Sequence, residues 1–278
     1  MDSEQNGKAA PARRIALLID ADNVAHAQIA PMIAELSKYG VANIRRAYGN
    51  WASDGLKNWK GRLHDHAIRP VQQFSYSTGK NATDMALVID AMELLYTQKL
   101  DAFCIASSDA DFTPLVMQLR ANGHEVYGFG ERKTPEPFVN ACSTFLYFDS
   151  LGDTPPPAPE KPRATPAVGT RPSPTQQAAK PANLSQDNRL IAVLRGAVEA
   201  TAREDGWATL AAAGGAAKRQ APIDPRNYGA KNFPKLFEAV GLFDIAKCEE
   251  DGHAYVADKR NKERSAKPRP PVKASGHC

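Results

Sequence analysis

A proline-rich stretch near the middle of the chain limits what the polypeptide can fold into. Residues 153–184 hold nine prolines and no aromatic residue. Proline has no backbone N–H and a fixed φ angle, so a segment of this composition cannot build a core. The 278-residue chain is therefore expected to form two modules joined by a disordered, semi-rigid linker at 152–184.

The first module, residues 13–151, alternates short β-rich apolar runs with helical patterns. The strands are predicted at 14–20, 43–49, 68–74, 101–107, 124–130 and 144–150. The helices are predicted at 24–38, 55–66, 83–97 and about 112–122. Strands separated by helices need crossover connections, which predicts an α/β, Rossmann-like three-layer domain with a mostly parallel sheet.

One helix has a distinct apolar pattern. Within the helix predicted at 83–97, the large apolar side chains are expected to share one face, formed by Met85, Val88, Ile89, Met92, Leu95 and Tyr96.

Acidic residues follow the predicted strands at the points where ligands bind in open parallel sheets. Asp20 ends the first strand, and the stretch SSDADF places Asp109 and Asp111 directly after the fourth. Asp84 begins the helix that follows the third strand. These four carboxylates are therefore expected to converge at one edge of the sheet.

A cluster of carboxylates is costly without a cation. Two carboxylates about 4 Å apart repel by roughly 4 kcal/mol at an effective dielectric constant near 20. Oxygen ligands without His or Cys favour Mg²⁺ or Mn²⁺ over Zn²⁺, and the four cysteines form no CxxC pair. The pattern predicts hydrolysis of a phosphodiester by metal-activated water.

Polar residues beside the acids are candidates for a supporting role. They could hold the carboxylates, waters or a substrate phosphate, and they are Asn23, Lys80, Ser107, Ser108 and Thr113.

Two other interpretations of the acids stay open. Each acid could cap or complement a helix N-terminus, as the order SSDADF before FTPLVMQL suggests for Asp109. Alternatively, Asp20 could be the nucleophile of a phosphotransfer or phosphatase domain, because strand-end acids also serve that chemistry.

Basic and aromatic residues alternate between the second strand and the following helix. Cations there would meet phosphates while Trp51 and Trp59 stack on unpaired bases, although ordinary solvated residues fit the same pattern. The candidates for RNA contact in this module are Arg45, Arg46, Lys57, Trp59 and Lys60.

The second module, residues 185–258, shows three helices followed by two strand-like runs, which is the winged-helix order. Its candidates for RNA contact are Lys218, Arg219, Arg226 and Lys231. Residues 259–278 hold seven Lys or Arg against one Glu, which predicts a disordered basic tail. With no apolar signal segment or membrane-length run, a cytoplasmic protein is expected.

Three motifs of the first module resemble the NYN domain of the PIN-like nucleases. They are LLIDADN, GKNATDMALVIDA and ASSDADFTPLVMQLRANGHEVYGFG, and the resemblance covers residues 13–150. It implies a PIN-like fold, a Mg²⁺ or Mn²⁺ site built from Asp20, Asp84, Asp109 and Asp111, and ribonuclease activity. No acidic position of the family pattern is replaced.

The second module resembles the LOTUS or OST-HTH domain through GWATLAAAGGAAKRQAPIDPRNYGAKNFPKLFEAVGLFDI. This resemblance implies binding of RNA or a partner. Together the two modules suggest a metal-dependent endoribonuclease with a tethered RNA-binding winged helix. The main alternative is a non-catalytic RNA-binding adaptor.

Overall fold

The computed structural model describes residues 12–74, 82–151 and 184–269, which divide into two compact units. Nearly all of the predicted linker lies outside the described residues. No helix within the described ranges is both long enough and apolar enough to cross a membrane.

The first unit is built on a six-stranded parallel sheet, as the sequence predicts. Its strands are β1 (Arg14–Asp20), β2 (Val41–Gly49), β3 (Arg69–Gln72), β4 (Ala102–Ala106), β5 (Glu125–Gly130) and β6 (Thr144–Tyr147). The strand order is β3-β2-β1-β4-β5-β6. The order reverses between β1 and β4, so the first strand runs beside the fourth and their carboxyl ends lie at one edge.

Helices connect these strands. They are α1 (Ile29–Leu36), α2 (Trp59–Asp65), α3 (Ala82–Thr97), α4 (Thr113–Ala121) and α5 (Glu136–Ala141). The first two are shorter than predicted, because 3-10 turns precede them at His26–Gln28 and Asp54–Leu56. The six-residue α5 is too short to show a helical period, and no prediction covers it.

The central strands of the sheet are buried. Residues 15–20 of β1 and all of β4 are buried, which is the pattern of parallel strands covered on both faces. Two neighbouring buried strands give the side chains at their ends a rigid support.

The apolar face predicted for α3 is not the face that packs on the sheet. The helix packs on β1 and β2 through Thr83, Leu87, Ala91, Leu94 and Leu95. Of the predicted face only Leu95 is buried, whereas Met85, Ile89 and Tyr96 are 55%, 62% and 69% exposed. The helix carries two apolar faces, and small Ala91 rather than the larger side chains allows close approach to the sheet.

The second unit has the expected winged-helix order. Its elements are α6 (Asn188–Glu199), β7 (Ala208–Thr209), α7 (Leu210–Gln220), α8 (Phe233–Val240), β8 (Phe243–Lys247) and β9 (Ala254–Asp258). The three strands form an antiparallel sheet in the order β7-β9-β8. Leu194, Leu236 and Phe237 are among the side chains of its separate core.

Part of the predicted disordered tail is ordered. Residues 259–269 lie against the second unit, where the Ser265 carbonyl accepts a hydrogen bond from Trp207 Nε1 at 3.0 Å. The Asp205 carbonyl accepts from the Ser265 amide at 2.9 Å, and Asp205 Oδ2 accepts from the Arg269 amide at 2.9 Å. This segment has no apolar periodicity, and these hydrogen bonds fix its position instead. Residues 270–278 lie outside the described part of the chain.

Candidate active site

Asp20 occupies a buried position at the carboxyl end of β1. Its side chain is inaccessible to solvent. Oδ2 accepts hydrogen bonds from Asn23 Nδ2 at 2.6 Å and from Ser107 Oγ at 2.8 Å. Oδ1 is buried and has no hydrogen-bond partner within the described part of the chain. Oδ2 is therefore held by two hydrogen bonds, whereas Oδ1 accepts none from the described residues.

The environment of Asp20 disfavours its charge. Burial raises the pKa of Asp20, and the two hydrogen bonds from Asn23 and Ser107 offset part of this effect. The neighbouring charge of Asp22 raises the pKa further. An unpaired buried carboxylate oxygen is destabilising unless a proton or a cation satisfies it.

Ser107 links the ends of β1 and β4. Its hydroxyl donates to Asp20 Oδ2 and accepts from the Asp109 amide at 3.1 Å. This position agrees with the supporting role predicted for Ser107.

Asp109 caps the turn that follows β4. Its Oδ1 accepts a hydrogen bond from the Asp111 amide at 2.9 Å, at the start of the 3-10 helix Ala110–Phe112. Thr113 closes the same turn by donating to the Ala110 carbonyl at 2.6 Å. The capping interpretation of Asp109 is thus correct, but a cap uses one carboxylate oxygen and leaves the charge available.

The pKa of Asp84 is raised by burial and by the other acids. This residue lies in the first turn of α3 and its pKa is raised to about 6, first by burial and then by repulsion from Asp20, Asp109, Asp111 and Asp22. Repulsion of this kind requires that the carboxylates lie near one another. Hydrogen bonds connect the same edge of the sheet: Ser107 joins Asp20 to the Asp109 amide, and Thr83, next to Asp84, donates to Asp22.

Asp22 is a fifth acid that the sequence analysis did not select. Its Oδ2 accepts a hydrogen bond from Thr83 Oγ1 at 3.0 Å, which ties the end of β1 to the start of α3. Both residues are direct neighbours of selected positions, in DADN and NATD. That adjacency is the signal that could have identified them.

The acids do not form a complete cation site as they stand. Across the described ranges, no three Asp, Glu, His or Cys side chains are grouped so that they could hold a metal ion. The donor chemistry nevertheless fits a hard divalent cation, because all the groups are carboxylates and Asp20 Oδ1 is buried without a partner. A cation would have to draw the carboxylates together by side-chain rotation.

The raised pKa of Asp84 predicts how the metal-free protein responds to pH. The folded pKa of about 6 exceeds the ordinary value of 3.8 for an aspartate, so the folded state binds more protons between these values. Asp84 therefore contributes to stability at low pH, and this contribution is lost as pH rises from about 4 through 6. In unfolding titrations with chelator, Asp84→Asn should gain stability relative to the native chain across that interval. A constant difference between the two proteins would contradict the raised pKa.

Two accessory candidates, Ser108 and Lys80, remain. Ser108 Oγ accepts from the Glu131 amide at 2.8 Å, so it supports the loop after β5. Lys80 lies outside the described residues.

Several basic candidates of the first unit already have partners. Arg45 donates to the carbonyls of Ala42 at 3.1 Å and His66 at 2.9 Å. Arg46 forms a largely buried ion pair with Asp90. Lys57 and Lys60 are exposed, and Lys57 forms a surface ion pair with Asp54.

Trp59 cannot stack on a base, because it is 2% exposed and belongs to the core. It lies three residues after Leu56 and four before Leu63, both buried, which is the spacing of a helix face. Trp51 packs against it edge to face, with ring centroids 6.0 Å apart. The stacking prediction for Trp59 is wrong, since that helical spacing outweighs the interleaving of basic residues.

In the second unit, Lys218, Arg219 and Lys231 are exposed. Arg226 instead forms a two-point ion pair with Asp224, through Nε–Oδ1 and Nη2–Oδ2 contacts of 2.8 Å each. Burial raises the pKa of Asp224, but the hydrogen bonds from Arg226 outweigh it and the net pKa is lowered. Arg226 thus stabilises the turn before α8.

Two domain families match the two units of this chain. The model of the NYN domain matches residues 14–150, and that of the OST-HTH/LOTUS domain matches residues 185–255. The chain therefore contains an NYN domain, which belongs to a nuclease superfamily, followed by an OST-HTH/LOTUS domain. Both resemblances noted in the sequence are confirmed in their order.

Individual similar proteins carry less information. The uncharacterized protein MJ0482 of Methanocaldococcus jannaschii is 31% identical over 122 residues, which cover 42% of this chain and 47% of that protein. The chain thus spans about half the length of this relative. A crystal structure of a protein of unknown function, VPA0982 from Vibrio parahaemolyticus, is 16% identical with a TM-score of 0.42, covering 53% of this chain and 96% of that one.

Proposed function

We propose that this protein is a metal-dependent endoribonuclease that hydrolyses RNA phosphodiester bonds. The observation that carries the proposal is the convergence of acids from β1, α3 and the loop after β4, with Asp20 Oδ1 buried and unsatisfied. Such a group of carboxylates suits Mg²⁺ or Mn²⁺. When bound, the cation would lower the pKa of water and neutralise charge on the phosphodiester.

The residues of the site have distinct tasks in this proposal. Asp20, Asp84, Asp109 and Asp111 would hold the cation. Hydrogen bonds from Asn23 and Ser107 fix one oxygen of Asp20 and leave the other for binding. Asp84, with a pKa of about 6, would release its proton as the cation binds, so binding would strengthen as pH rises toward 6 and level off above it.

The second unit would supply RNA affinity. We propose that Lys218, Arg219 and Lys231 contact phosphate groups, because their side chains are exposed. In the first unit, exposed Lys57 and Lys60 remain candidates, whereas the contacts of Arg45 and Arg46 assign them a structural role. Joining the two units in one chain would raise the local concentration of RNA at the acid site.

A non-catalytic RNA-binding adaptor is the second candidate. It is favoured by the absence, within the described ranges, of a side-chain group ready to hold a metal, and by the capping role of Asp109.

Cleavage of labelled single-stranded RNA in Mn²⁺ or Mg²⁺ separates these candidates. The native protein should cut RNA, a chelator should stop it, and Asp109→Asn should reduce the rate by at least about 100-fold. Asparagine is as good an N-cap as aspartate, so this variant removes the charge while keeping the turn.

The matched control is Asp65→Asn, which removes an exposed carboxylate from the end of α2. It should cleave at the native rate. Absence of cleavage by the native protein with either metal would favour the adaptor.

A further inference from the structure

The outward face of α3 carries a stripe of large apolar side chains. Met85, Ile89 and Tyr96 are 55%, 62% and 69% exposed, and Met92 between them is partly buried. Within the described ranges three other large apolar side chains are exposed, namely Val41, Phe74 and Met117, at 48%, 53% and 61%. Half of the exposed set therefore lies on one helix, opposite the face that packs on the sheet. We call these four residues the α3 stripe.

The spacing of the α3 stripe is that of a helix-pairing seam. Successive members are four, three and four positions apart, which keeps them in line along a helix that packs against another helix. The spacing reads the same in both directions. Two antiparallel copies of α3 would therefore match Met85 with Tyr96 and Ile89 with Met92, as a two-fold interface requires.

Among the described residues, no other helix or strand carries more than one exposed large apolar side chain. The segments outside the described residues, 1–11, 75–81, 152–183 and 270–278, each contain one large apolar residue at most. Within residues 184–269, no large apolar side chain is counted among the exposed ones. Within the described part of the chain, the apolar surface that matches the α3 stripe is the same stripe on a second molecule.

We propose that the α3 stripe is a homodimer interface, in which α3 pairs with α3 of a second copy in an antiparallel, two-fold arrangement. The proposal does not depend on catalytic activity. At roughly 200 Å² per large side chain, the exposed fractions amount to roughly 400 Å². This supplies the apolar centre of an interface that buries about 800 Å² per partner, with polar residues around the stripe contributing the rest.

Sedimentation analysis of the 278-residue chain tests the proposal. At about 100 µM the native protein should sediment with twice its 30.1 kDa chain mass. Ile89→Glu should weaken dimerisation by at least about 100-fold, because it places a charge at the centre of a desolvated seam. The variant should keep the native circular dichroism spectrum, since Ile89 is 62% exposed.

Met117→Glu is the matched control. Met117 on α4 is 61% exposed and does not belong to the α3 stripe, so this variant should dimerise as the native protein does. A native protein that remains monomeric at this concentration, or an Ile89→Glu variant that dimerises normally, would overturn the proposal. A monomer in which Ile89→Glu weakens RNA binding would also overturn it and would assign the stripe to RNA.

Disulfide trapping tests the antiparallel register. Cys104, Cys142 and Cys248 are buried, so Cys278→Ser is the suitable background for new exposed cysteines. Oxidising a mixture of the Met85→Cys and Tyr96→Cys chains should give mixed dimers, whereas Met85→Cys alone should give few, because Cβ atoms must come within about 4.5 Å. Efficient crosslinking of Met85→Cys to itself would contradict the antiparallel arrangement.

Discussion

Replacing Asp20 by asparagine is expected to lower the rate of RNA cleavage by about 1,000-fold, equivalent to about 4 kcal/mol of transition-state stabilisation. The variant retains an oxygen that can accept the hydrogen bonds from Asn23 and Ser107, and it loses the charge that a cation would need. Cleavage rates at saturating Mn²⁺ measure the effect.

The same substitution should not weaken the fold. The carboxylate of Asp20 is buried, one of its oxygens has no partner within the described part of the chain, and its pKa is raised. A neutral side chain of the same shape removes an unfavourable buried charge, so the melting temperature of Asp20→Asn should equal or exceed that of the metal-free native protein.

Ser107→Ala provides a graded comparison. It removes one of the two hydrogen bonds to Asp20 while keeping the charge, and we expect a loss of about 10- to 100-fold. If Asp20→Asn cleaved RNA within about threefold of the native rate, Asp20 would be a structural residue and the proposed site would be wrong.

Replacing Asp90 by alanine should destabilise the first unit by about 3 kcal/mol. Asp90 on α3 accepts hydrogen bonds from Arg46 and from the hydroxyl of Tyr48, both on β2. The side chains of Arg46 and Asp90 are 22% and 15% exposed, and Tyr48 is fully buried. Burial and the neighbouring Asp90 both raise the pKa of Tyr48, so its hydroxyl stays a donor. Without Asp90, a guanidinium and a phenol would remain buried and unpaired.

Thermal unfolding of the full-length chain measures this effect, and a shift on the order of 10 °C is expected for the transition of the first unit. Tyr48→Phe should cost only about 1 kcal/mol, because the ion pair of Asp90 with Arg46 remains. Asp54→Ala is the control: it removes an ion pair with Lys57 whose side chains are 88% and 71% exposed. Its effect should be under about 0.5 kcal/mol. Equal losses in Asp90→Ala and Asp54→Ala would show that the Asp90 contacts contribute little.

The position of Asp90 also matters for the candidate site. It lies on the helix that carries Thr83 and Asp84, and its contacts hold that helix on β2. Loss of Asp90 should therefore reduce cleavage through the placement of α3, without contact between Asp90 and RNA.

Features with a strong local period were predicted well. All six strands of the first unit and the helix–helix–helix–hairpin order of the second are present, because alternation and helical spacing are recorded in neighbouring residues. The acids at strand ends were also found, since the ends of β1 and β4 are marked by the abrupt change from apolar runs to DADN and SSDADF. The resemblance to the NYN and LOTUS domains predicted the same order of elements, and its NYN motifs contain the same acids.

Predictions that depended on what a side chain contacts were less successful. Trp59 was predicted to stack on a base because basic residues surround it in the sequence, yet it packs in the core. The α3 helix has apolar residues on two faces, so periodicity alone could not say which face the sheet covers. Residues 259–269 lack a period, but hydrogen bonds to Asp205 and Trp207 hold them.

The amino-acid sequence alone determined the division into two modules, the parallel α/β class of the first and the acids at its strand ends. These follow from composition and spacing within short windows. Only the tertiary structure decided that Asp20 has one satisfied and one unsatisfied oxygen, that Arg46 is committed to Asp90, and that the α3 stripe faces outward. Each of these depends on segments far apart in the chain meeting in space, and local propensity carries no record of such partners.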